Sequence, residues 1–182
     1  MAGNNTQDSP EEIIRFYQQL GFFVGANPTT IVEWFTDDHY ESPDPDNPWH
    51  DVFLLTYTEN EVWTEDPEAD VCAQNKVYSK VLPEWALISH GAFAPGNIQE
   101  HWESDAGPIA VSFELGSRQV SIRPAYQDDW IDLGVLLQIN QLIAGSGKQF
   151  ECAFDGNSAL VLCVTPQIKE SMRAQRKFPF AW

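Results

Sequence analysis

The stretch Leu142–Glu151, LIAGSGKQFE, holds a glycine–serine–glycine–lysine run of the kind that cradles phosphate in nucleotide-binding loops. A phosphate loop needs a glycine five residues ahead of its Gly–Lys pair, where this chain has Leu142. It also needs Ser or Thr after the lysine to hold Mg²⁺, and here Gln149 follows. Such a loop leaves a strand and enters a helix, so that its amides sit at the positive helix end. Here an amphipathic helix comes first, so the run is predicted to be a helix stop. Gly145 is expected as the left-handed cap and Lys148 as a cation near the negative end.

No other group makes a stronger case for chemistry. The four histidines, His39, His50, His90 and His101, lack the i, i+4 spacing of a helical zinc site, and no cysteine lies near them in sequence. His39 and His50 flank ESPDPDNPW, where Asp44 and Asp46 offer oxygen ligands. Pro45 and Pro48 interrupt that loop, however, and the central glycine of a calcium loop is missing. A solvated acidic turn is the expectation, with no metal and no cofactor. Carboxylate pairs recur at Asp37–Asp38, Asp44–Asp46, Glu65–Asp66 and Asp128–Asp129, a density at which pairing by chance is expected. No G-x-S-x-G elbow or other nucleophile motif is present, so no catalytic residue is assigned and the chain reads as a non-enzyme.

Charge carries the strongest global signal. The 182 residues have a formal net charge of −17, and residues 1–75 hold 16 acidic side chains against Arg15 alone. Such a field repels nucleic acid and anionic membranes and attracts basic partners. The opening MAGNNTQDSPEE has neither a basic segment nor an apolar core, and no run is long enough to span a bilayer, which makes a cytoplasmic address the expectation. Cys72, Cys152 and Cys163, an odd number without CxxC spacing, are read as free thiols.

The elements that must position these residues read as one α+β domain. Residues 1–50 would form an N-terminal helical part with a Pro/Asp-rich loop, and residues 51–182 an antiparallel sheet built from hairpins with helices on one face. SPEEIIRFYQQLG carries Ser9 as cap, Pro10 in the first turn, an S-x-x-E capping box to Glu12, and Gly21 as the stop. NPTTIVEWFTDD repeats the device from Asn27, with Ile31, Trp34 and Phe35 expected inside. HYESPDPDNPWH, with its prolines, is expected to be irregular. DVFLLTYT and EVWTED, rich in β-branched and aromatic residues, read as a hairpin. KVYSKVLPEWALI fits strand or helix, and GNIQEHWE reads as one or two helical turns.

The second half is predicted as β-β-α-β-β-α. IAVSFELGSRQVSIRP alternates apolar and polar residues around Gly116–Ser117. A helix is expected over DDWIDLGVLLQINQLIA, with Asp128, Asp129 and Asp132 in its first turn. The hairpin KQFECAF–DGN–SALVLCV turns at Gly156–Asn157, which pairs Cys152 with Val161 and Phe150 with Cys163 and makes the two cysteines diagonal neighbours. A last helix follows Thr165–Pro166. Phe178, Phe180 and Trp182 alternate in RAQRKFPFAW, as in a strand closing on the sheet or in an exposed binding edge.

The runs VSFELGSRQVSIRPAYQDDWIDLGVLLQINQLI, LVLCVTPQ, RFYQQLGF and VEWFTDD resemble a family of uncharacterised bacterial α+β proteins of similar length. The match is poor over residues 67–107, and its motifs are structural, so it implies a bacterial α+β protein and brings no catalytic residue. In its small, acidic, aromatic-rich and cofactor-free character the chain also resembles immunity proteins that neutralise toxins of interbacterial competition. That likeness implies a basic protein partner. The residues expected to meet it are Asp37, Asp38, Asp44, Asp46 and Asp51, with Tyr40, Trp49 and Trp63 as aromatic anchors. The competing expectation is a small-molecule-binding or enzymatic domain with a pocket between the sheet and the N-terminal helices.

Overall fold

The computed structural model describes residues 9–182; the first eight residues of the acidic opening stretch lie outside it. The fold is α+β, with six α-helices and two three-stranded antiparallel sheets among the described residues. The chain divides into two compact units, residues 1–59 with 167–179, and residues 60–166 with 180–182.

The first unit is helical. Helix α1 (Pro10–Gln19) starts as the sequence predicts: the Ser9 hydroxyl accepts the Glu12 amide, and the Glu12 carboxylate accepts the Ser9 amide. It stops at Gly21, whose φ of 98° lets the Gly21 and Phe22 amides return to the Gln18 and Tyr17 carbonyls. Helix α2 (Pro28–His39) begins at Asn27, whose side chain accepts the Thr29 amide. Ile31 and Phe35 are buried, but Trp34, expected inside with them, is 50% exposed.

Helix α3 (Pro48–Leu55) corrects two expectations. The proline-rich loop gives way to a helix at Pro48, because Asn47 caps it and a proline suits the first helical position. DVFLLTYT is therefore mostly helix and not the first arm of a hairpin. The run is nearly buried all round, with His50, Asp51, Val52, Leu54 and Leu55 inside, so no helical stripe shows in its sequence. Helix α6 (Pro166–Arg176) returns to this unit from Gln167 onward and buries Met172 and Arg176.

The second unit holds both sheets. Strand β1 (Val62–Glu65) pairs with β6 (Ala159–Val164), which also pairs with β5 (Gln149–Phe154), so β6 is the inner strand and is buried along its whole length. The β5–β6 register is the predicted one, Cys152 opposite Val161 and Phe150 opposite Cys163. The other sheet has the order β2 (Pro95–Trp102), β3 (Ile109–Leu115), β4 (Arg118–Ile122). Its β3–β4 hairpin buries Ile109, Val111, Phe113 and Ile122, as the alternation requires. GNIQEHW is thus strand and not helical turns.

Helix α4 (Val77–Ile88) and helix α5 (Val135–Ile143) each contact both sheets, in place of one sheet with helices on one face. Trp85, Phe93, Phe113, Phe150 and Leu136 centre the core of this unit.

Candidate functional site

The phosphate-loop lookalike is architecture, with two of its details moved. A single 3-10 turn, Ala144–Ser146, ends α5, and Gly147, not Gly145, takes the left-handed conformation at φ 76°. Lys148 serves another helix: its Nζ donates to the Ser89 carbonyl at 3.3 Å, beyond the C-terminal end of α4. Asp128, Asp129 and Asp132 precede α5 and do not form its first turn. Asp132 is buried and fixes the entry, accepting the Ala125 amide at 2.8 Å and the Gly134 amide at 2.9 Å.

The residues expected to meet a partner separate by burial. Asp51 is fully buried in a polar knot. Arg176 donates to both its oxygens, Nε to Oδ2 at 2.8 Å and Nη2 to Oδ1 at 2.9 Å, and the Tyr17 hydroxyl donates to Oδ2 at 2.6 Å. Arg176 also reaches the Pro45 carbonyl at 3.2 Å, so one guanidinium ties α3, α6 and the loop, and Tyr17 adds α1. Burial, with Asp51 beside it, holds the Tyr17 hydroxyl well above the usual phenol range. Trp63 is also inside: its indole donates to Glu84 at 2.7 Å and its ring meets Trp85 edge-on at 5.8 Å. Trp49 is half-buried at the start of α3.

The exposed residues gather on α2 and the loop after it. Trp34, Asp37 and Asp38 sit at i, i+3 and i+4, which places them on one helical face, and all three are exposed. Tyr40 follows as the C-terminal cap, left-handed at φ 58° and 93% exposed. Asp38 is held in place by the Tyr57 hydroxyl at 2.6 Å, and the Tyr57 ring lies 6.4 Å from that of Trp34. Burial, and then the Asp38 bond, raise the Tyr57 hydroxyl above its ordinary range. His39 stacks on Phe53 with ring centroids 5.1 Å apart.

The loop is ordered by His50. Its Nδ1 accepts the Asp44 amide at 2.9 Å, which puts the ring proton on Nε2, 3.2 Å from Glu41 Oε1. Asp44 and Asp46 are exposed, and the Asp44 side chain accepts the Asp46 amide in an Asx turn. Neither Asp37 nor Asp38 is paired with a lysine or arginine among the described residues. No group of three or more His, Cys, Asp or Glu among the described residues is arranged to hold a metal.

Trp34 is the member that sequence reasoning missed. Its periodicity fits the buried face of α2, and only the packing of Ile31 and Phe35 shows that the stripe is too narrow to take it in. No family model, curated protein or solved structure matches the chain. No helix among the described residues is long and apolar enough to cross a membrane.

Proposed function

We propose that this chain is a non-enzymatic acidic binding protein, an immunity protein that neutralises a basic bacterial toxin domain in the cytoplasm. The contact surface is the exposed face of α2 with its following loop: Trp34 and Tyr40 as aromatic anchors, Asp37, Asp38, Asp44 and Asp46 as the charged surround. One observation carries the reading. Tyr40 stands in solvent and Trp34 half so, beside carboxylates at a helix C-terminus, where both the carboxylates and the left-handed Tyr40 work against folding. Carboxylates there oppose the helix dipole, and an exposed left-handed Tyr gains no packing for its strain. Aromatic anchors inside a charged rim are what a basic partner would recognise.

The test is association of the purified chain with basic toxin domains of bacterial origin, measured by stopped flow and by rescue of growth on co-expression. The expected association rate falls at least about tenfold from low salt to about 0.5 M. Asp37→Lys is expected to weaken binding by about tenfold or more while the melting temperature holds or rises, since a cation suits the helix C-terminus. Binding that ignores both salt and charge reversal on α2 would overturn the reading.

A further inference from the structure

A cavity of about 450 Å³ opens within the second unit, where Gln127–Gly134 faces β5 and the residues Ala181–Trp182. Its walls carry three aromatic rings, Trp130, Phe154 and Trp182, together with Ile131 and Leu133. Trp130 and Phe154 meet edge to face, with ring centroids 6.2 Å apart and planes at 71°. Asp132 supplies the charge in the wall, and no lysine or arginine lines it among the described residues.

The walls are fixed from behind. The Ala181 amide donates to the Cys152 carbonyl at 2.8 Å, the Ile131 amide to the Pro67 carbonyl at 2.8 Å, and two backbone amides hold the Asp132 carboxylate in place. Asp128 and Asp129, both exposed, adjoin the lining residues in sequence and keep the approach negative. An anion is excluded by this field, and a neutral apolar ligand would make no use of it. Aromatic faces are themselves negative, and a small space lined by three such rings favours a cation whose charge is spread over methyl groups and weakly hydrated. The volume falls in the range of small-ligand pockets.

We propose that this cavity is an aromatic cage for an organic ammonium ion of trimethylammonium type. The rings take the methyl groups and Asp132 supplies the long-range countercharge. The site shares no residue with the α2 surface.

The experiment is calorimetric titration of the full chain with choline and, in parallel, with 3,3-dimethylbutan-1-ol, its uncharged isostere. Choline is expected to bind saturably, with the isostere at least about tenfold weaker. Phe154→Ala, at a position 39% exposed, is expected to weaken choline by about tenfold and to narrow the gap to the isostere. Equal binding of the two ligands would show a plain apolar pocket and overturn the proposal. So would the absence of saturable choline binding in the millimolar range, or choline binding untouched by Phe154→Ala.

Discussion

Tyr40 ends α2 at φ 58° with 93% of its surface in water, a position where a glycine would sit without strain. The left-handed conformation costs an L-residue roughly 1–2 kcal/mol, and the exposed ring has little packing with which to offset it. Tyr40→Gly is therefore expected to raise stability by about 1 kcal/mol in urea denaturation while weakening the proposed partner. A variant that loses stability would show that the ring packs, and would remove Tyr40 from the contact surface. Asp51 is the opposite case, since everything it does is internal. Asp51→Asn leaves the Arg176 guanidinium buried against a neutral group, and a loss of about 3–5 kcal/mol is expected by denaturation. Tyr17→Phe removes one hydrogen bond to the same carboxylate and is expected to cost about 1.5–3 kcal/mol. A neutral Asp51→Asn would contradict the knot's role in joining three helices.

At the scale of elements, legibility follows how local the physics is. The capping box at Ser9, the Asn27 cap, the β3–β4 alternation and the β5–β6 register are decided within a few residues, and each is readable as sequence. Strand β2 was hidden because its inward row, Ile98, Glu100 and Trp102, includes a carboxylate. Glu100 accepts the Ser79 amide at 3.0 Å at the start of α4, a contact supplied by distant chain, and the Trp102 indole of its own strand at 2.9 Å. Helix α3 was hidden for the reverse reason, a run too uniformly apolar to show a period. The exposed carboxylates of the candidate surface were legible; that Asp51 and Trp63 turn inward was not, because Arg176 and Glu84, their partners, lie far along the chain.

The inner hairpin makes a further claim testable. Burial pushes the Cys152 thiol up to about 12 and the Cys163 thiol up to about 11, from an ordinary value of 9.0. Above about pH 9 the unfolded chain therefore releases thiol protons that the folded chain retains. The stabilisation these thiols give is complete below that pH and is lost as pH rises through about 11 and then about 12. Urea midpoints measured from pH 8 upward should fall, and less steeply in Cys152→Ala. A slope unchanged by that substitution would contradict the thiols' burial.

Across the whole molecule, folding redistributes the charge that the sequence concentrates at one end. Residues 1–75 are the acidic end of the chain, yet Lys169, Arg173, Arg176 and Lys177 return to the first unit. By sequence that unit holds 12 carboxylates against five lysines and arginines, a formal −7, and the second holds 15 against five, a formal −10. Both fields are negative, so attraction of a basic protein alone would not identify the contact surface. Position does. The most direct measurement is hydrogen–deuterium exchange of the full chain, free and bound to the basic toxin domain. Binding through the α2 surface would slow exchange over residues 34–46 and leave the β3–β4 hairpin unchanged. Protection confined to the second unit, with residues 34–46 exchanging as in the free chain, would contradict it.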